Sequence, residues 1–438
     1  MVGLTLVFGS IAPQTPIVSL KTRERREHFG TDDLLKAYQI DEDAELSNAE
    51  LYNRLAEGAG LRAGAFQEKS PVGKSRANHS LIAREARWLQ QDLKAMGILT
   101  RVDGRRGVWK LTEKGKRNLH ASKPGVKLLG YSTSLGVAIW GASEEVFRGV
   151  DIPISLCLTS PPYCLAGSSS RAYGNPCEKE IVNFICNVLE PVVEALQEDG
   201  SIVVNTTNDA FIRNSPARST YLERLVLTIC DRFQLHLMER LVWESSKPPG
   251  PMQWASRTRQ QLNVAYEPIL VFSKNPLRWK ADNRRVLQPH SERHLKLIAR
   301  GGESRQASYS DGAYRIRPGS YSNPTAGRIP KNILKYGQRC RYGIQYRKAC
   351  TELGLPVHGA GMAFKVPEFL IQWLTEPGDH VVDVFGGRGM TALAADMLNR
   401  TWMIAENQLE YIRGGAELFR GRPGFELNPD IEAAFVRG

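Results

Sequence analysis

Apolar residues recur along this chain with two different periods, and the change from one to the other divides it. Ile82, Ala86, Leu89, Leu93 and Met96 fall at helical spacing, while Arg84, Arg87, Gln91 and Lys94 take the opposite face; this predicts an amphipathic helix with one buried stripe, stopped by Gly97. Ile98–Val102 and Val108–Thr112 then flank Asp103-Gly104-Arg105-Arg106-Gly107, the pattern of two short strands around a basic turn. From Leu128 onward the pattern becomes apolar strands alternating with helices. Strands are predicted at Ile154–Leu158, Ser201–Asn205, Ile269–Phe272 and His380–Val384, and helices at Glu178–Leu196 and Thr391–Leu398. That alternation predicts an α/β fold around a largely parallel sheet.

At 438 residues the chain is long enough for a large domain and a smaller one, since single cores stop growing near about 250–300 residues. No apolar run approaches bilayer length, so a membrane protein is excluded and a cytoplasmic one expected. Met1–Phe8 is apolar but lacks the flanks of a signal peptide, and reads as a strand or a loose arm. Seven scattered cysteines form no C-x-x-C pair, which fits reduced thiols and no metal site. With an earlier helix over Ser47–Leu55, the stretch from about Thr31 to Leu119 resembles a winged helix-turn-helix. Its helix, with Arg84 and Arg87, would enter a major groove, and Arg105 and Arg106 at the wing tip would rest on phosphates. The alternative is that these charges merely solvate an exposed face and that the module packs on the rest of the protein or pairs subunits.

The net charge of +12 acquires meaning from its placement: Asn275–Cys350 holds 17 Lys and Arg against 4 Asp and Glu, so the rest of the chain is close to neutral. Tyr309, Tyr314, Tyr321, Tyr336, Tyr342 and Tyr346 are interleaved with those cations; they could stack on sugars or bases, but some must also provide whatever small core the stretch possesses.

Two motifs carry the chemistry. The strand Ile154–Leu158 runs into Thr159-Ser160-Pro161-Pro162-Tyr163. Paired prolines present their carbonyls rigidly, Ser160 adds an acceptor oxygen, and Tyr163 adds an aromatic face. A planar base with an amino group suits that set: its hydrogens donate to Ser160 and the Pro161 carbonyl, and its ring stacks on Tyr163. Downstream, His380–Val384 leads through Phe385-Gly386-Gly387-Arg388-Gly389-Met390-Thr391 into an apolar helix, a strand, glycine turn and helix that bring backbone amides close to a cofactor. The next strand, Trp402–Glu406, ends in an acid placed to accept from ribose hydroxyls.

These motifs resemble the DNA amino-methyltransferases of the permuted beta class, in which a T-S-P-P-Y type catalytic loop precedes a D-x-F-x-G-x-G-T-T type turn for S-adenosyl-L-methionine. Tyr266–Lys274, and His358–Leu370 followed by Pro377-Gly378-Asp379, resemble further segments of that family. The resemblance implies a Rossmann-like S-adenosylmethionine-dependent fold with an inserted target-recognition region, acting on double-stranded DNA in a restriction-modification setting, as a monomer or a dimer. The parts expected are an arm (1–30), a winged-helix-like domain (31–122), a catalytic half (128–274), a recognition insert (275–350), a cofactor half (351–420) and a tail (421–438). Ser160, Pro161, Pro162 and Tyr163 are the implied catalytic residues. Asp383, Phe385, Gly386, Gly387, Gly389, Thr391, Glu406 and His358 are the implied cofactor residues. Arg278, Arg284, Arg285, Arg315, Arg317, Arg339 and Arg341 are expected on DNA, beside Arg84, Arg87, Arg105 and Arg106 of the N-terminal domain. The T-S-P-P-Y form implies transfer to N4 of a flipped-out cytosine. Adenine N6 methylation, and a non-catalytic DNA-binding protein on the same fold, are the alternatives. Arg388, Met390 and Ala142 depart from the family pattern, which implies a different hold on the cofactor.

Overall fold

A computed structural model describes residues 33–34, 37–38, 40, 45–58, 60–62, 64–72, 77–95, 99–112, 121–122, 124–163, 178–212, 215–244, 252–359 and 361–436. The arm at 1–30, Met96, the Gly97 stop and Ile98 lie outside them. The chain separates into two compact units, Met1–Lys116 and Arg117–Gly438.

In the first unit the strands are β1 (Leu46–Ser47), β2 (Ser70–Val72), β3 (Ala77–His79), β4 (Leu99–Arg101) and β5 (Val108–Leu111). β1, β5 and β4 form an antiparallel sheet in that order, and β2 pairs with β3. The helix Asn48–Gly58 begins at a capping box: the Glu50 amide donates to Ser47 Oγ (3.3 Å) and the Ser47 amide to Glu50 Oε2 (2.8 Å). The helix Leu81–Ala95 buries Ala86 and Leu93 against Leu51, Leu55, Leu99 and Trp109, with Ile82 and Leu89 at the margin of the same core.

The second unit is built on a ten-stranded sheet. Its strands are β6 (Lys127–Thr133), β7 (Gly136–Gly141), β8 (Ile154–Thr159), β9 (Leu196–Asn205), β10 (His236–Glu244) and β11 (Tyr266–Ser273), followed, after a separate hairpin of β12 (Ala307–Tyr309) and β13 (Tyr314–Ile316), by β14 (Ile333–Lys335), β15 (His380–Asp383), β16 (Thr401–Glu406) and β17 (Glu426–Leu427). The spatial order is β14-β10-β11-β9-β8-β15-β16-β7-β6-β17. The five central strands β9, β8, β15, β16 and β7 run parallel. Both faces are covered, which is why β8 is buried at every position although strands ordinarily alternate. Leu156 and Leu158 join a core with the helices Arg341–Glu352, Lys365–Leu374 and Met390–Met397, while Cys157 joins the opposite core with Glu178–Glu194 and Tyr221–Phe233.

From β8 the chain proceeds to β9 on one side, and from β15 to β16 on the other. The carboxyl ends of the adjacent strands β8 and β15 therefore form a topological switch point, where open α/β sheets bind ligands.

The basic stretch 275–350 is interleaved with this sheet, which its charge alone did not reveal. β14 extends the sheet by pairing in parallel with β10, and Tyr346 and Cys350 of the helix Arg341–Glu352 are fully buried in the main core. Arg285 is the clearest correction to the expected DNA contacts. Its guanidinium donates to the carbonyls of Lys280 (3.2 Å), Trp373 (3.5 Å) and Thr375 (3.3 Å) and pairs with Glu376 (2.6 Å), and so stitches the start of the stretch to the end of Lys365–Leu374. Replacing Arg285 with Ala is therefore expected to lower stability by about 1–3 kcal/mol, the scale of charge-assisted hydrogen bonds lost from a recessed site. Urea unfolding would measure it; wild-type stability with altered DNA sequence preference would assign Arg285 to recognition instead.

Candidate active site

At the switch point a cavity of about 580 Å³ opens between the loop after β8 and the turn after β15. Ser160, Pro161, Pro162, Tyr163, His358, Phe385 and Glu406 all line it, so seven residues expected from sequence converge. Ala142, Glu144, Phe184, Asn407, Gln408 and Tyr411 complete much of the wall. Phe184 of the helix Glu178–Glu194 meets Phe385 with ring centroids 5.7 Å apart, which gives the cavity an aromatic side.

The catalytic loop is held by buried polar residues that the motif alone does not name. Asn205 ends β9 and Glu267 lies near the start of β11; they are 0% and 3% exposed. Tyr163 donates its hydroxyl to Glu267 Oε2 at 2.9 Å, and Asn205 Nδ2 lies 3.0 Å from the same oxygen. Ser160 Oγ sits 3.2 Å from the Tyr163 hydroxyl and 3.4 Å from Asn205 Nδ2. Burial and the neighbouring Glu267 carboxylate push the Tyr163 phenol well above its ordinary range, so it remains a donor. One end of the ring is thus pinned, and its face and the Ser160 hydroxyl are left beside the cavity. Cys164, read from the sequence as a bystander, lies outside the described residues.

Asp383 does a different task from the expected cofactor contact. It is 3% exposed and does not line the cavity. Its Oδ1 accepts from Thr159 Oγ1 at 2.7 Å and the Phe385 amide at 3.0 Å, and its Oδ2 accepts from Thr391 Oγ1 at 2.7 Å. Thr159 closes β8 and Thr391 opens the helix after β15, so one carboxylate ties both loops together. Burial raises the Asp383 pKa, and those three donors oppose the rise.

In the turn, Gly387 and Gly389 have φ of 50° and 77°, and a Cβ at Gly389 would stand 2.8 Å from the Tyr131 hydroxyl. Left-handed backbone and close approach together call for glycine there. The Gly387 amide donates to Glu406 Oε2 at 2.7 Å and the Gln408 amide to Glu406 Oε1 at 2.8 Å. Burial nevertheless pushes Glu406 up to about 7, against the pull of these amides. His358 is driven down to about 4, first by burial and then by the charge of Arg388. It is a neutral ring at physiological pH, edge-on to Tyr411 at 4.6 Å, with a buried Nδ1 that has no partner among the described residues.

Gly386, Gly387, Gly389 and Thr391 do not appear on the cavity wall; they shape the turn beneath it. Arg388 also turns away, which explains how the turn tolerates it. Only 7% exposed, it donates Nη2 to the carbonyls of Gly361 (3.1 Å) and Met362 (2.8 Å), and a Cβ on Gly361 would come within 2.2 Å of its Nε. Met390 is likewise packed in the core, at 3% exposure. Of the three departures, only Ala142 reaches the cavity.

The remaining expected cations are dispersed. Arg278, Arg315, Arg317, Arg339 and Arg341 are exposed, and Arg284 is exposed but chelated by Asp282 at 2.7 Å. In the first unit Arg87, Arg105 and Arg106 line one pocket, whereas Arg84 lies over the Trp88 ring at 5.7 Å. Among the described residues no helix is long and apolar enough to cross a membrane.

Residues 31–121 match the Mrr N-terminal domain family. Type II methyltransferase M.PvuII of Proteus hauseri is 35% identical over 298 residues, which are 66% of this chain and 85% of that protein. The solved PvuII DNA methyltransferase (cytosine-N4-specific) superposes with a TM-score of 0.54 at 29% identity, over 73% of this chain and 96% of the other. Residues 154–417, more than half of the chain and the source of most of the cavity's lining, match the DNA methylase (N6_N4_Mtase) family: the protein belongs to that family.

Proposed function

We propose that this protein transfers a methyl group from S-adenosylmethionine to the exocyclic N4 of cytosine in double-stranded DNA, site-specifically and in the cytoplasm, as a modification enzyme of the restriction-modification kind. The observation that carries this reading is the convergence of the Ser160–Tyr163 loop with Phe385, His358 and Glu406 on one cavity. The cytosine target is further supported by the T-S-P-P-Y loop and by the named specificity of the PvuII structure.

The residues present fit the cofactor. Glu406, oriented by two backbone amides, offers acceptors to ribose hydroxyls; Phe385 and Phe184 offer apolar faces; and the orphaned His358 Nδ1 and the Gln408 side chain, whose Oε1 is buried without a partner among the described residues, are polar groups suited to a bound ligand. The bound cofactor supplies an electrophilic methyl group on a sulfonium.

The target base must leave the duplex to enter such a cavity, at a cost of a few kcal/mol in stacking. Tyr163, anchored through its hydroxyl, offers the ring face on which it stacks. Its amine is a poor nucleophile because the nitrogen lone pair is delocalised into the ring. Ser160 Oγ and the Pro161 carbonyl accept its two hydrogens and favour a pyramidal nitrogen whose lone pair is free for in-line attack. The proton that the methylated nitrogen sheds has a path from Ser160 through the Tyr163 hydroxyl to the Glu267 carboxylate. No covalent enzyme intermediate is required. The exposed Arg278, Arg315, Arg317, Arg339 and Arg341 of the stretch 275–350 are the proposed DNA contacts.

Ser160→Ala is expected to lower turnover of labelled methyl groups into mixed-sequence DNA by about 10²-fold or more while leaving cofactor affinity within about twofold, because Ser160 serves the amine. Equal loss of both would remove Ser160 from that role.

Glu406 predicts a pH dependence. With its pKa raised from 4.5 to about 7, the carboxyl favours the folded state at low pH, and that contribution is lost as pH rises from 4.5 through about 7. Cofactor binding runs the other way, since ribose hydroxyls need the ionised acceptor. Affinity measured by titration calorimetry should be flat above about pH 8 and fall by up to about tenfold per unit below about pH 7. Glu406→Gln should bind more weakly at about pH 8 and lose the dependence; an unchanged profile would place the ribose elsewhere.

A further inference from the structure

The first unit contains a second concavity, of about 380 Å³, lined by Asn48, Arg87, Gln90, Gln91, Arg101, Arg105, Arg106, Gly107 and Trp109. Four arginines drawn from three elements, the helix Leu81–Ala95, strand β4 and the β4–β5 turn, line one small space. Such a concentration of positive charge around one concavity attracts anions. Among the described residues Arg105 is the one of the four with an ion pair, to Glu45 at 2.8 Å, and Glu45 is shared with Lys110 at 3.3 Å. Arg87 makes an internal bond to the Ala83 carbonyl, and Arg101 lies over the Trp109 ring at 5.0 Å, which fixes its plane.

A second, independent feature lies in the pocket wall. Gln90 is 1% exposed, and its Nε2 donates to the Tyr38 hydroxyl (2.9 Å) and to Asn48 Oδ1 (3.1 Å), while its Oε1 is buried with no partner among the described residues. An orphaned buried acceptor is unfavourable until a donor reaches it. A ligand that presents both an anion and a hydrogen-bond donor satisfies the pocket as a whole.

We infer that this pocket grips a DNA strand, with a backbone phosphate held by Arg87, Arg101, Arg105 and Arg106 and the donor edge of an adjoining base offered to Gln90 Oε1. It is a DNA-binding site separate in the chain from the methyl-transfer cavity, and it rests on the reading that DNA is the substrate. A nucleic acid meets all the requirements at once: phosphates suit the planar fork of arginine, and base amino groups suit a side-chain amide. Arg84, on the same helix but stacked on Trp88, lies outside the pocket and takes no part.

The test uses the full chain and a fluorescent mixed-sequence duplex, with affinity followed by anisotropy across a salt series. Arg101→Ala and Arg106→Ala should each weaken binding and reduce the magnitude of the slope of log affinity against log salt by about one. Arg84→Ala should retain the wild-type slope. Gln91→Glu changes an exposed position, spares the core, and places a carboxylate on the pocket wall; it should weaken binding most at low salt. Circular dichroism and thermal unfolding that match the wild type report that each variant is folded. Wild-type slopes in the pocket variants, or saturable binding of deoxynucleoside monophosphate that depends on Arg101 while duplex binding does not, would overturn the inference. Methyl transfer to DNA by the wild-type chain, measured in parallel, separates these failures from failure of the enzymatic reading: transfer with unaffected slopes refutes the pocket alone.

Discussion

The buried carboxylate of Asp383 is the constraint on which the site depends. Two loops that leave neighbouring parallel strands have no covalent reason to keep a fixed relation, and each must face the same cavity. Asp383 gives them one, by accepting from Thr159 at the end of β8, from Thr391 at the start of the following helix, and from the backbone at Phe385. The desolvation that raises its pKa is opposed, though not cancelled, by those three donors. In the proposed reading, the distance between an amine at Ser160 and a cofactor beside Phe385 and Glu406 is thereby set by a bond network in the sheet rather than by the loops themselves. Geometry of that kind is what converts binding into rate when the nucleophile is weak.

Polar groups around the cavity divide the labour between holding and contacting. Glu267 and Asn205 orient the catalytic loop, Arg388 fastens the turn to Gly361 and Met362, and Tyr163, Ser160, His358 and Glu406 face the space between. The contacting residues carry unusual electrostatics as a result. Burial holds Glu406 near 7 and His358 near 4, so both are biased toward their neutral forms, while Glu144 and Glu180 add carboxylates to the wall. A cofactor that brings its own positive sulfonium enters a site where Glu406 is able to ionise in response.

Much of this was legible in the sequence. The strands Ile154–Leu158 and His380–Val384 were visible as short apolar runs ending in Pro-rich and Gly-rich turns, and such turns at strand ends have few structural uses. Five residues named from those turns, joined by Glu406 and His358, line one cavity. The roles of Asp383 and Thr391 were less legible, because a motif records that residues belong together without saying whether they face the ligand or each other. Asn205 and Glu267 are distant in sequence from Ser160 and meet it only through the β8, β9 and β11 order of the sheet. The extent of the basic stretch was misjudged for a related reason: charge counting marks a surface, while β14 and the helix Arg341–Glu352 are fixed by apolar residues, Leu334, Tyr346 and Cys350, scattered among the cations. Arg285 was indistinguishable from its exposed neighbours until its four partners were in view.

The central claim is that the Ser160–Tyr163 loop presents a cytosine amine to the methyl donor. The most direct measurement is to incubate the purified protein with mixed-sequence duplex DNA and isotopically labelled S-adenosylmethionine, digest the DNA to nucleosides and identify the labelled product by mass spectrometry. The account predicts label in N4-methyldeoxycytidine alone; label in N6-methyldeoxyadenosine, in 5-methyldeoxycytidine, or in no nucleoside would contradict it.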